Sequence, residues 1–202
     1  MNLPSLILAS ASPRRAELLR QLPWEFSVVP SDAPEIHHDH LTATEISQIN
    51  ACRKARAVAK RIPDALVLGA DTLVYLGAQI FGKPADFAEA QRMLTQLQGQ
   101  THQVITGVCL IQLRSHRQKV FAESTDVTFR ALNSGRIRDY LARIQPLDKA
   151  GAYAIQEHGD LIVKNISGSF SNVVGLPMER LREELALWER LLFTKPPPLK
   201  KV

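Results

Sequence analysis

The chain has 202 residues, 45% hydrophobic and 22% charged, an ordinary globular mix that excludes a disordered or fibrous chain and is long enough to bury a core. Its formal charge of +5, from 25 Lys and Arg against 20 Asp and Glu, points at first to nucleic acid or a membrane surface. Three of those cations, Lys195, Lys200 and Lys201, lie in the acid-free segment 194–202; without them 22 basic residues face 20 acidic ones, and the body is only +2.

Leu6-Ile7-Leu8-Ala9 reads as a short apolar strand and not as a leader, since no basic stretch precedes it. A helix is expected over 13–22, with Ser12 as N-cap and Pro13 at the first helical position. Phe26-Ser27-Val28-Val29 is a second strand, and 31–40 is a polar loop. Thr42 with Glu45 three residues later forms a capping box for a helix to about Lys60. Residues 65–70 are uniformly apolar, as in a strand covered on both faces. Gly77-Ala78 then turns a hairpin between 72–76 and 79–81.

Asp86 caps a helix with a stripe of Ala90, Met93, Leu94 and Leu97, which Gly99 ends. Residues 104–113 and 120–129 read as two long strands rich in β-branched side chains. Ile137, Tyr140, Leu141 and Ile144 form another helical stripe, 161–163 a last short strand, and 178–192 a helix burying Leu181, Leu185, Trp188 and Leu192. The alternation predicts one α/β domain over 1–193, followed by a flexible Pro- and Lys-rich tail over 194–202. No apolar run reaches the ~18 residues of a membrane helix. Cys52 and Cys109 match no metal or disulfide spacing, as expected of reduced thiols in the cytoplasm.

Chemistry concentrates at a few junctions. Ser10-Ala11-Ser12-Pro13-Arg14-Arg15 joins a strand to a helix, where free N–H groups, hydroxyls and guanidinium forks suit an anion. The same residues also suit a plain N-cap with two solvated arginines. Gly69-Ala70-Asp71-Thr72 places a carboxylate at the end of an apolar strand, where it can hold a cation, orient water or merely stabilise a turn. Gly82-Lys83-Pro84 returns a lysine after the hairpin, without the spacing of a phosphate-binding P-loop. Lys54 faces away from the solvated stripe of Arg53, Arg56 and Lys60. The His37-His38-Asp39-His40 run lacks a metal-ligand spacing and reads as a solvated loop. Segments 148–156 and 168–172 mix small and polar residues, either as ordinary loops or as parts of a site.

Taken in order, the Ser10–Arg15 run with Glu17-Leu18-Leu19, Lys54-Ala55, Gly69–Thr72, Gly82-Lys83-Pro84, Thr101-His102 with Thr106-Gly107-Val108, and 171–177 resemble the Maf family of nucleoside triphosphate pyrophosphatases. The resemblance spans nearly the whole chain. It implies a mixed twisted sheet flanked by helices, with two lobes around a deep cleft, like that of inosine triphosphate pyrophosphatase. The implied reaction is hydrolysis between the α and β phosphates with Mg²⁺ or Mn²⁺. Asp148–Tyr153 with Ile155-Gln156 resembles the branch acting on dTTP and UTP, possible substrates including modified pyrimidine nucleotides. The resemblance makes Asp71, Lys54 and Lys83 catalytic, Ser10, Arg14, Arg15, Thr72 and Gln156 substrate-binding, and Asp71 with Glu35 metal-binding. It also implies a homodimer, with no stable nucleic-acid or membrane partner.

Three segments depart from the family pattern: Pro34 stands where an Asp is common, Glu157-His158-Gly159 replaces Gly-Arg-Gly and adds negative charge near the expected base site, and Gly135-Arg136 replaces an acidic first helical turn. A nucleotide-binding regulator of cell division with little turnover is the competing expectation. Retention of Asp71, Lys54 and Lys83 favours the enzyme.

Overall fold

The short apolar runs find their hydrogen bonds in one another. β1 (Leu6–Leu8) lies between β2 (Phe26–Val28) and β3 (Leu66–Leu76), parallel to both. β5 (Thr101–Gln112), β6 (Arg117–Phe129) and β7 (Val163–Ser167) follow antiparallel, giving the order β2-β1-β3-β5-β6-β7, and β4 (Gln79–Phe81) pairs with the far end of β3. This computed structural model describes residues 4–38 and 40–193, excepting the side chains of 191–193. The expected tail over 194–202 and the burial of Leu192 lie outside the described residues.

Three long strands carry two cores. On one face, Leu66 and Leu68 of β3 and Leu110 of β5 pack against Leu18 and Leu19 of α1 (Pro13–Leu19) and Leu181, Leu185 and Trp188 of α6 (Met178–Phe193). On the other, Val67, Cys109 and Ile111 meet Ala51, Ala55 and Val58 of α2 (Ala43–Ala59). A buried leucine contributes about 2 kcal/mol. A one-residue slip would turn all of these side chains to the opposite face, so burial fixes the register. Further along, Val74, Val104, Val127 and Phe129 pack with α3 (Phe87–Leu97) and α4 (Ser134–Leu141), forming the second lobe.

The capping expectations at α2 and α3 hold: Thr42 Oγ1 accepts from Glu45 N–H at 3.2 Å, and Asp86 Oδ1 accepts from Glu89 N–H at 2.7 Å. α1 stops at Leu19, three residues before the expected end, although Leu22 is still buried by the following turn. Residues 159–161 form a single 3₁₀ turn and the last strand starts at Val163, so the strand expected over 161–163 is displaced. The loop expected over 168–172 opens the short helix α5 (Phe170–Val174), with Ser169 as its cap.

The expected strand end at Asp71 is also corrected. β3 runs through it for 11 residues, because pairing with β5 continues from Val67↔Ile111 to Tyr75↔Gln103. Backbone pairing does not require an apolar side chain, so a polar residue in the pattern does not end the strand.

Candidate active site

The opposite edge of β3 is only partly covered. β1 pairs with Leu66, Val67 and Leu68, while β4 pairs with Val74, Tyr75 and Leu76. Between these partners, Gly69 to Leu73 face a gap in the sheet. Successive side chains point to opposite faces, so Asp71 and Thr72 stand in the gap on different sides. A cleft of about 660 Å³ opens there, lined by both, and this is within the usual range for small-ligand sites.

Asp71 faces α2, which approaches the sheet at two glycines. A Cβ at Gly69 would strike the Ala51 carbonyl oxygen and Ala55, and one at Gly107, the β5 partner of Asp71, would strike the Ser47 backbone. This approach brings two helix residues four apart onto the carboxylate. Lys54 Nζ donates to Asp71 Oδ1 at 2.6 Å and to Glu35 Oε1 at 2.6 Å. Asn50 Nδ2 donates to Asp71 Oδ2 at 3.1 Å. Asp71 and Asn50 are buried, so their polar groups depend on these partners.

The same helix holds the loop that carries Glu35. Asn50 Oδ1 accepts from Ile36 N–H at 2.8 Å, its Nδ2 also donates to Ile36 O at 3.2 Å, and Arg53 Nε donates to Pro34 O at 3.1 Å. Partial burial by itself raises the Glu35 pKa, but the Lys54 hydrogen bond and charge, with Lys83 and His37, hold it below the usual carboxylate value. Arg53 and Arg56 are exposed, as expected. Among the described residues no group of three or more His, Cys, Asp or Glu could hold a metal ion, while Asp39 of the histidine run lies outside them.

Thr72 faces the other side, where Arg15 ties three segments together. Its Nε donates to Gly175 O at 2.9 Å, Nη1 to Ser10 Oγ at 3.2 Å and Nη2 to Thr72 Oγ1 at 2.9 Å. Three of its five N–H groups are therefore engaged by the protein. Burial lowers its pKa, against the opposing pull of Asp71 and Glu35. Thr72 Oγ1 also meets Thr106 Oγ1 at 3.0 Å, and Thr106 donates to Asn172 O at 3.0 Å. Ser12 makes no side-chain cap bond at α1, and Ser10 Oγ accepts from Ser12 N–H at 3.2 Å.

The far wall is made of turns. Arg14 Nη1 donates to Asp148 Oδ2 across the cleft at 3.1 Å. Asp148 also accepts from the buried Lys149 Nζ at 2.8 Å, and Lys149 reaches Gln145 O at 2.7 Å and Glu157 Oε1 at 3.4 Å. The additional negative charge of Glu157 thus meets a buried lysine. Gly151 has φ +70° and lies against Val74, so a side chain there would be strained; its N–H donates to Gly82 O at 3.0 Å and ties this wall to the Lys83 turn. Behind it, Tyr153 OH and His102 Nε2 are 2.9 Å apart. Lys83 and Gln156 are exposed and line the cleft.

All the sequence-selected residues, Ser10, Arg14, Arg15, Glu35, Lys54, Asp71, Thr72, Lys83 and Gln156, therefore line one cleft. Sequence reasoning did not single out Asn50, and it named Thr106 and the buried Lys149 only within longer motifs, with no role of their own. Asn50 had a usable signal: it lies four residues before Lys54 and therefore on the same helical face.

A family model described as Maf-like protein matches residues 5–188. A relative from Myxococcus xanthus is 51% identical over 185 residues, covering 92% of this chain and 91% of its own. Others from Moorella thermoacetica and Pelotomaculum thermopropionicum are 48% and 45% identical, covering 91% and 89% of this chain and 94% of each relative. All three are named dTTP/UTP pyrophosphatase. With the motifs gathered around a single cleft and the match running nearly end to end, the chain belongs to the Maf family.

Proposed function

We propose that the protein hydrolyses dTTP and UTP between the α and β phosphates, releasing the nucleoside monophosphate and diphosphate. The observation carrying this reading is Asp71, held in the sheet gap by Lys54 and Asn50 and open to a cationic cleft. In this reading Asp71 orients the attacking water and accepts its proton. Lys54, Lys83 and Arg14 offset the triphosphate charge, with the remaining Arg15 donors contributing. Thr72 and Ser10 help position the phosphates, and Gln156 on the turn wall reads the base, its amide offering both a donor and an acceptor to pyrimidine edges.

Glu35 and Asp71 suit a divalent cation, Mg²⁺ or Mn²⁺. Two carboxylates completed by phosphate oxygens are an ordinary donor set for such an ion, and Glu35 Oε2 carries no hydrogen bond among the described residues. When bound, the ion would neutralise phosphate charge and polarise the phosphorus. The reading carries with it a cytoplasmic homodimer, and it carries no stable nucleic-acid partner, for which the weak +2 charge of the body is the support. No described helix is long and apolar enough to cross a membrane.

The test is incubation with each triphosphate and Mg²⁺ or Mn²⁺, followed by separation of products. Monophosphate and diphosphate from dTTP and UTP are expected. Unchanged nucleotide that remains bound would favour the regulator, and products from purine triphosphates alone would overturn the base assignment.

A further inference from the structure

Asn50 is a fully buried amide in the middle of α2, where a polar side chain depends on hydrogen-bond partners. Its functional groups have partners on two separate elements. Nδ2 donates to Asp71 Oδ2 at 3.1 Å on β3, while Oδ1 and Nδ2 pair with the N–H and C=O of Ile36 at 2.8 and 3.2 Å. Ile36 adjoins Glu35, whose carboxylate shares Lys54 Nζ with Asp71. One amide therefore fixes the second oxygen of Asp71 and the loop bringing Glu35 beside it.

We propose that Asn50 is a positioning residue for the hydrolysis: it sets the orientation of the Asp71 carboxylate and the placement of Glu35 relative to it. The role rests on the hydrolase reading above. The Lys54 bond alone fixes only Oδ1, leaving the carboxylate able to turn about that contact. The Asn50 bond to Oδ2 removes that freedom, and an amide is suited to the work because it can donate to the carboxylate and still accept from Ile36 N–H. Small displacements of a reacting group are costly to rate, so the contribution falls on turnover. None of the groups expected on the phosphates, Ser10, Arg14, Arg15, Lys54, Thr72 and Lys83, is hydrogen-bonded to Asn50, whose partners among the described residues are Ile36 and Asp71, so substrate affinity is little affected.

Two substitutions separate the bond to Asp71 from the pair to Ile36. Asn50→Ala removes all three; kcat falls about 10- to 100-fold while KM for dTTP stays within about threefold. Hydrogen exchange at the Ile36 amide accelerates in the same protein, because its acceptor is gone. Asn50→Asp is nearly isosteric and keeps an acceptor for Ile36 N–H but places an oxygen against Asp71 Oδ2. It retains Ile36 protection and loses about 100-fold in kcat.

A purely structural amide would lower the melting temperature of either variant without changing kcat in the folded protein. Asn50→Asp turnover within about threefold of wild type, or an Asn50→Ala defect confined to KM, overturns the role. Wild-type protein is assayed alongside: if it turns over no triphosphate, the hydrolase reading falls and this role falls with it. A competent wild type with unaffected variants removes this role alone.

Discussion

One wall of the cleft is regular structure, the exposed edge of β3 with α1 and α2; the other is a series of turns between Gln145 and Gly159. On the first, Lys54, Asn50 and Arg15 reach their partners from helices packed on a seven-stranded sheet. On the second, Asp148 is half-exposed, and Gln156 lies at an exposed turn. Groups that must handle a proton need fixed geometry, whereas groups that select a base can stand on connecting segments supported by a scaffold. The contrast divides the expected effects: changes to the Asp71 cluster on the first wall act on kcat, and changes to the second act on KM and choice of nucleotide.

The largest expected effect is on the first wall. Asp71→Asn keeps an almost identical shape but loses the proton acceptor, so kcat falls by about 10³-fold with the fold intact. Steady-state diphosphate release together with circular dichroism checks this, and near-normal turnover by a folded variant would remove the division at its strongest point.

The next effect concerns support of the turn wall. His102 is buried beside Tyr153 and Phe129, and burial lowers its pKa from 6.5 to about 4. The unfolded chain therefore takes up this proton first as pH falls. The stabilisation is complete above about pH 6.5 and is lost toward pH 4, by at most roughly 3 kcal/mol. Melting curves across this range should show the loss, with a shallower slope in His102→Gln; identical slopes would separate His102 from the acid sensitivity.

Gly107→Ala tests the close approach of α2. The methyl group must displace the helix backbone at Ser47, at a cost of about 1–3 kcal/mol, and moving α2 also moves Lys54 and Asn50. Both a lower melting temperature and a lower kcat are expected. A stable variant with unchanged kcat would mean that the approach at Gly107 does not set the Asp71 contacts.

Asp148→Asn should have the smallest effect. The Arg14–Asp148 pair is partly exposed and spans the cleft at 3.1 Å, and such pairs contribute less than about 1 kcal/mol. The expected result is a KM change of a few-fold with kcat preserved. A loss confined to kcat would contradict the division between the walls.

Much of the site can be read from local chemistry. Pro13 and the Thr42–Glu45 box place helix starts, and Asp71, Lys54 and Lys83 stand out as charges beside apolar runs. The continuation of β3 through Asp71 was not readable from that pattern, because its cause is pairing with β5, a segment distant in the chain. Arg15 illustrates the same limit: two adjacent arginines look alike in sequence, yet one ties Ser10, Thr72 and Gly175 together while the other crosses the cleft to Asp148.

The sequence by itself determined most of the helix starts, the apolar strand segments, the family and the cast of charged residues, since periodicity, caps and ordered motifs are local properties. Only the tertiary structure decided that β1 and β4 leave β3 uncovered between Gly69 and Leu73, and that α2 lies close enough to bring Lys54 and Asn50 to Asp71. Those outcomes depend on pairing and packing between distant segments, and no local pattern encodes a distance across the sheet.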